Sequence, residues 1–154
     1  EGELRPQLLD RFGLSVDVAS PTDIEQRIEV IKRRDAYEND YTAFMVRWQA
    51  EDAMLRDRIT AARVALKQLD TPEQSLRDVA ELCIALGSDG LRGELTLLKA
   101  ARAYAAFRDD TALTRGHIRD VAALALRHRM RRDPLDDAGS GTRVARIVAE
   151  TLGS

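Results

Sequence analysis

The sequence predicts a mainly α-helical protein in which a helical bundle is preceded by one short helix and one strand. Three observations carry that expectation. Apolar residues recur at helical spacing through most of residues 24–128, only "GLSVDV" at 13–18 alternates as a strand does, and the breaks between periodic stretches hold proline, glycine and capping residues.

At the start, Pro6 suits a first helical turn and Leu8 and Leu9 give that turn an apolar side. Leu14, Val16 and Val18 then alternate against Ser15 and Asp17. A lone strand leaves backbone groups and an apolar face unpaired, and nothing downstream has comparable strand character. Residues 1–21 are therefore expected to be the end of a domain whose body lies upstream, and the opening "EGELRPQ", which lacks an initiator Met, fits a piece of something longer.

Pro21 marks a boundary, and Thr22 or Asp23 is available to cap the next helix. Ile24, Ile28 and Ile31 recur in "DIEQRIEVIKRRDAY". A long helix is expected from about Asp40 to Leu69, with Phe44, Trp48, Leu55, Ile59, Ala62 and Leu66 on roughly one face. Phe44 and Trp48, one turn apart, read as core packing rather than a ligand platform. After the break at "DTPEQS", Ser75 can cap a helix that Gly87 ends. "SDGLRGELTLLKAARAYAAFRDD" directs Leu91, Leu95, Leu98, Ala101 and Tyr104 or Ala105 to one side, and "TRGHIRDVAALALRHRM" turns Ile118, Val121, Ala122 and Ala125 inward. "RRDPLDDAGSGTR" reads as a polar loop and "VARIVAETL" as a last short helix.

Of 154 residues, 44% are hydrophobic and 32% charged, a balance that suits a core with a wetted surface and argues against disorder or a membrane span. The net charge of −2 gives no global field for a polyanion. All but Lys32, Lys67 and Lys99 of the 24 basic residues are arginines, the side chain suited to planar recognition of phosphate. The single Cys83 lies in an apolar helical stretch and reads as a small core hydrophobe. With no second cysteine there is no disulfide framework, which together with the lack of a signal peptide favours a reducing, cytoplasmic setting.

The sequence contains no G-x-x-x-x-G-K-[ST] phosphate loop. His117 and His128 are eleven residues apart on one expected helix, roughly 16 Å at 1.5 Å per residue, so they cannot share an ion, and no metal site is expected. His117 reads as a helix-surface or interface residue. The run "RHRMRR" at 127–132 reads as cations complementing a helix C-terminus, with nucleic-acid binding as the alternative. Two arginines stand apart: Arg11, at the end of "LLDRF" just before the strand, and Arg92, in "GLRGEL" at a helix start. A permanently charged planar guanidinium can neutralise charge on a transferred phosphoryl group, and a helix N-terminus adds N–H donors. Ion pairs with Asp10 and Glu94 are the alternatives.

"EGELRPQLLDRFGLSVDV", "LCIALGSDGLRGELTLLKAARAYAA" and "VAALALRHRMRRDPLDDAGSGTRVARIV" resemble the C-terminal part of the I-type ATPase subunits of magnesium chelatase, a family of AAA+ proteins. The resemblance implies a ring ATPase, hexameric in that family, working with a related AAA+ subunit of D type and a porphyrin-binding subunit of H type to insert Mg²⁺ into protoporphyrin IX. By the same resemblance Arg11 is the arginine finger that reaches a neighbouring subunit's nucleotide, Arg92 is sensor 2 toward ATP phosphate, and Arg5 lies near the subunit interface. Residues 1–21 become the last helix and strand of an α/β nucleotide-binding core, and residues 22–154 a helical lid. ATP and Mg²⁺ would be held mainly by the upstream core, no nucleic acid would be a partner, and the piece alone is expected to be inactive. Arg92 would serve either its own nucleotide or a neighbour's.

Overall fold

The computed structural model describes Leu8 and residues 11–88, 90–129 and 140–153. Among the described residues six helices follow one another: α1 (Ile24–Asn39), α2 (Tyr41–Ala65), α3 (Glu73–Ala85), α4 (Arg92–Phe107), α5 (Arg115–Leu126) and α6 (Ser140–Leu152). They fall into two compact units, one comprising Glu1–Val16 and Ala61–Ser154, the other Asp17–Thr60.

The smaller unit is held by helix ends and aromatic contacts. Asp23 caps α1, its Oδ1 accepting from Gln26 N at 2.9 Å, and Asp40 does the same for α2 through Ala43 N at 2.9 Å. No residue of α1 is buried, so Ile24, Ile28 and Ile31 line no core. Phe44 and Trp48 differ from expectation likewise. They are half-buried and pack on one another, with Tyr37 edge-on to Phe44 and the Arg33 guanidinium 4.6 Å over the Trp48 ring. Leu55 and Ile59 are exposed; Ala62, which belongs to the larger unit, is buried.

In the larger unit α3 to α6 enclose one core. Val79, Leu82 and Cys83 come from α3, Leu97, Ala101 and Ala105 from α4, Ile118, Val121, Ala122, Ala125 and Leu126 from α5, and Val144, Val148 and Leu152 from α6. The inward face of α5 and the burial of Cys83 are as the periodicity predicts. The face of α4 is so in part: Ala101 and Ala105 are buried and Leu98 packs against the core as predicted, but Leu91 and Leu95 are exposed, and Gly93, Leu97 and Ala106 turn inward instead. The small residues on that face let α4 and α5 approach closely, which outweighs burying two further leucines.

Gly87 ends α3 as expected, at φ 66 and with Ser88 N bonded to Cys83 O at 3.0 Å. Ser75 does not cap the helix. Pro72, at φ −58, stands at the N-cap, and Ser75 turns inward, its Oγ donating to Leu113 O at 3.1 Å. A parallel bridge, Asp70 with Ala112, ties the approaches to α3 and α5.

Among the described residues none lies in a strand longer than a bridge, so the strand expected at 14–18 is not formed. Phe12, Leu14, Val16 and Val18 are exposed, Val18 at 90%, and among the described residues no strand takes their ladder bonds or covers their apolar face.

Candidate functional site

The site is built where the segment after Arg11 meets α4 and the end of α5. Arg11 is exposed and closes a turn, its N bonded to Leu8 O at 3.0 Å. Ser15 N donates to Leu124 O at 2.8 Å, one of the last α5 carbonyls, which have no partner inside their own helix. Phe12 O accepts two bonds, from Arg129 Nη2 at 2.7 Å and from His128 Nε2 at 2.9 Å. Gly13 lies against Thr96, whose Cγ2 would stand 4.0 Å from an added Cβ.

Arg92 is the first residue of α4 and is exposed. Two glycines set it there. Gly90 has φ 76, a left-handed conformation that suits glycine, and Gly93 is buried where an added Cβ would meet Ser88 Oγ at 2.4 Å, so that the Ser88 hydroxyl would have to turn away. The helix starts without a side-chain cap on its first-turn N–H groups. Thr96 follows Arg92 by one turn on the same side of α4. Both predicted arginines belong to the larger unit, and the approach of Gly13 to Thr96 joins the segment after Arg11 to α4. Exposed guanidinium groups and an uncapped helix start fit anionic phosphate oxygens. Arg5, the ion-pair alternative Asp10, and residues 130–139, including most of the "RHRMRR" run, lie outside the described residues.

His117 departs from its expected surface role. It is 7% exposed; its Nδ1 accepts from Thr114 N at 3.1 Å, closing the start of α5, and its Nε2 lies 2.9 Å from Asp110 Oδ2. Among the described residues no group of three or more His, Cys, Asp or Glu side chains is arranged to hold a metal ion, and no helix is long and apolar enough to cross a membrane.

Two features escaped sequence reasoning. The first is the pairing of the Phe12 carbonyl with His128 and Arg129, of which the only trace was a density of cations greater than one helix end needs. The second is Asp78, buried on α3 and gripped by Arg115 through Nη2 at 2.7 Å and Nε at 3.1 Å, with Gln74 Nε2 at 3.0 Å. Arg115 holds the Asp78 carboxyl below the usual carboxylate range against the opposing effect of burial, and Gln74 adds to the lowering. An aspartate inside the apolar pattern of α3 was the available signal. Burial pushes the Cys83 thiol up to about 12, Glu94 adding to the shift and Arg129 opposing it, so Cys83 is no nucleophile.

Residues 76–150 match the family model of the AAA lid domain. The magnesium-chelatase 38 kDa subunit of Cereibacter sphaeroides is 68% identical over 152 residues, 99% of this chain and 46% of the relative; that of Chlorobaculum tepidum is 44% identical over 99% of this chain and 39% of the relative. An uncharacterised protein of Mycobacterium tuberculosis is 50% identical over 90% of this chain and 22% of its own length. The chain thus spans less than half the length of these curated relatives. A crystal structure from Cytophaga hutchinsonii superposes with a TM-score of 0.71 at 17% identity, covering 97% of this chain and 48% of that one, a likeness of fold. Residues 76–150, all within the larger unit, thus match the AAA lid domain, and the chain is similar over 99% of its length to the magnesium-chelatase 38 kDa subunit of Cereibacter sphaeroides.

Proposed function

We propose that this chain is part of the AAA+ motor subunit of magnesium chelatase, coupling ATP hydrolysis to insertion of Mg²⁺ into protoporphyrin IX for chlorophyll or bacteriochlorophyll synthesis. The observation that carries this reading is the 68% identity to a magnesium-chelatase 38 kDa subunit over 152 residues. Residues 1–21 then end an α/β nucleotide-binding core, and residues 22–154 form the lid with its insertion.

ATP bound by the core supplies the phosphoryl group to be transferred. Arg11 reaches from this chain toward the nucleotide of a neighbouring subunit and neutralises charge developing there. Arg92 contributes a guanidinium beside the uncapped start of α4, and Arg5 lies toward the subunit interface. The ring, hexameric in this reading, pairs with the D-type AAA+ subunit and transiently with the H-type subunit carrying protoporphyrin IX, in the bacterial cytoplasm.

In the assembled full-length protein, Arg11→Ala is expected to lower ATP turnover roughly 10³- to 10⁵-fold while nucleotide binding is largely retained. Near-normal hydrolysis would remove the assignment. For Arg92→Ala, unchanged nucleotide affinity together with unchanged turnover would return Arg92 to a structural role.

A second reading is the same kind of motor applied to another tetrapyrrole or to protein remodelling. Reconstitution with the D-type and H-type partners, Mg²⁺, ATP and protoporphyrin IX separates the two: formation of the Mg²⁺ porphyrin supports the first, and ATP turnover without metal insertion supports the second.

A further inference from the structure

Within this chain the segment that carries Arg11 is tied to the end of α5 by polar contacts: Ser15 N donates to Leu124 O, and Phe12 O accepts from His128 and Arg129. The two donors fill both lone pairs of that carbonyl.

Each donor is itself oriented. Arg129 Nε bonds Ala125 O at 3.1 Å, one turn back, and Nη2 also lies 3.5 Å from Thr96 Oγ1 on α4, which leaves the guanidinium fork aimed at Phe12. His128 Nδ1 is buried without a hydrogen-bond partner, so the ring proton belongs on Nε2, where it can be donated to the carbonyl. Such an arrangement exceeds what complementing a helix dipole requires.

We propose that His128 and Arg129 are positioning residues for Arg11, a latch through which the lid sets where that guanidinium points. The inference rests on the reading of Arg11 as the group that reaches a neighbouring subunit's nucleotide. Phe12 is its immediate neighbour, about 3.8 Å away along the chain, so a clamp on the Phe12 carbonyl limits the directions Arg11 can take. When α5 moves with the lid, the clamp carries Arg11 with it. Loosening the clamp leaves Arg11 present but misplaced, which lowers turnover without weakening nucleotide binding.

The test uses full-length protein in its assembled ring, with ATP turnover, nucleotide KM and amide hydrogen exchange over residues 11–18. Arg129→Met keeps the apolar stem and removes the donors. It is expected to lower kcat roughly 10- to 100-fold at unchanged KM, with Arg129→Lys restoring most of the loss. Added to Arg11→Ala, it should cause no further loss, because the two act through one group. His128→Phe should show the same pattern with a smaller loss, and the Ser15 amide should exchange faster in both latch variants but not in Arg11→Ala. Wild-type kcat in Arg129→Met beside a defective Arg11→Ala overturns the latch and leaves the role of Arg11 standing. So does a loss that persists in the Arg11→Ala background, or Ser15 exchange that is the same in every variant. Normal turnover in Arg11→Ala removes the underlying reading and the latch with it.

Discussion

Asp78→Ala removes three hydrogen bonds from a carboxylate whose side chain is 3% exposed, two of them to Arg115 and one to Gln74. Bonds to charged groups contribute about 1.5–3 kcal/mol each, yet the three do not simply add. Alanine also relieves the cost of burying a carboxylate, and Arg115, half-exposed, recovers water when its partner is lost. The net loss is therefore near the value of one such bond, about 2 kcal/mol at pH 7. Urea unfolding followed by far-ultraviolet circular dichroism measures it. The pH dependence supplies a second check. Arg115 keeps the folded-state carboxyl of Asp78 below its ordinary value, so its stabilisation is complete above the unfolded value of about 4 and is lost as pH falls through the lower folded value. The gap between wild type and Asp78→Ala should close in acid. Arg115→Met should be the more damaging change, because it strands a buried carboxylate where Asp78→Ala strands only a half-exposed guanidinium. A loss under about 0.5 kcal/mol for Asp78→Ala, or a gap of the same size at about pH 7 and about pH 3, would refute the reasoning.

Three further outcomes are expected. Leu97→Ala, at a fully buried site on α4, should cost about 3 kcal/mol in the same unfolding assay. Cys83 should resist iodoacetamide in the folded protein at about pH 8 and react on unfolding; because its thiol is pushed up to about 12, stability should fall as pH rises above the unfolded value of about 8.5. Asp109, at φ 63 just past α4, occupies a left-handed position, and Asp109→Gly should raise stability by about 0.5 kcal/mol in thermal unfolding.

Features that span a turn or two of chain were legible before any coordinates. Asp23 and Asp40 announce helix starts and Gly87 an end, because a cap is a contact over three or four residues. The inward stripe of α5 and the apolar setting of Cys83 follow from the same local spacing. Motifs of similar reach, "LLDRF" and "GLRGEL", drew attention to Arg11 and Arg92 before any helix was placed.

Whatever depends on a distant partner was settled by packing. Packing alone decided that Leu91 and Leu95 stay exposed while Leu97 joins Ala101 and Ala105 in the core, that His117 is buried and that Ser75 turns toward Leu113. Asp78 meets Arg115 across 37 positions, and Phe12 meets His128 and Arg129 across 116 and 117. Periodicity carries no record of such pairings: the apolar pattern of α3 marks Asp78 as out of place but does not name Arg115 as its partner, and Phe12 gives no local sign of its carbonyl's donors. The residues at 14–18 show the same limit from the other side: alternation makes them fit for a sheet, but a strand exists only where another strand completes its hydrogen bonds.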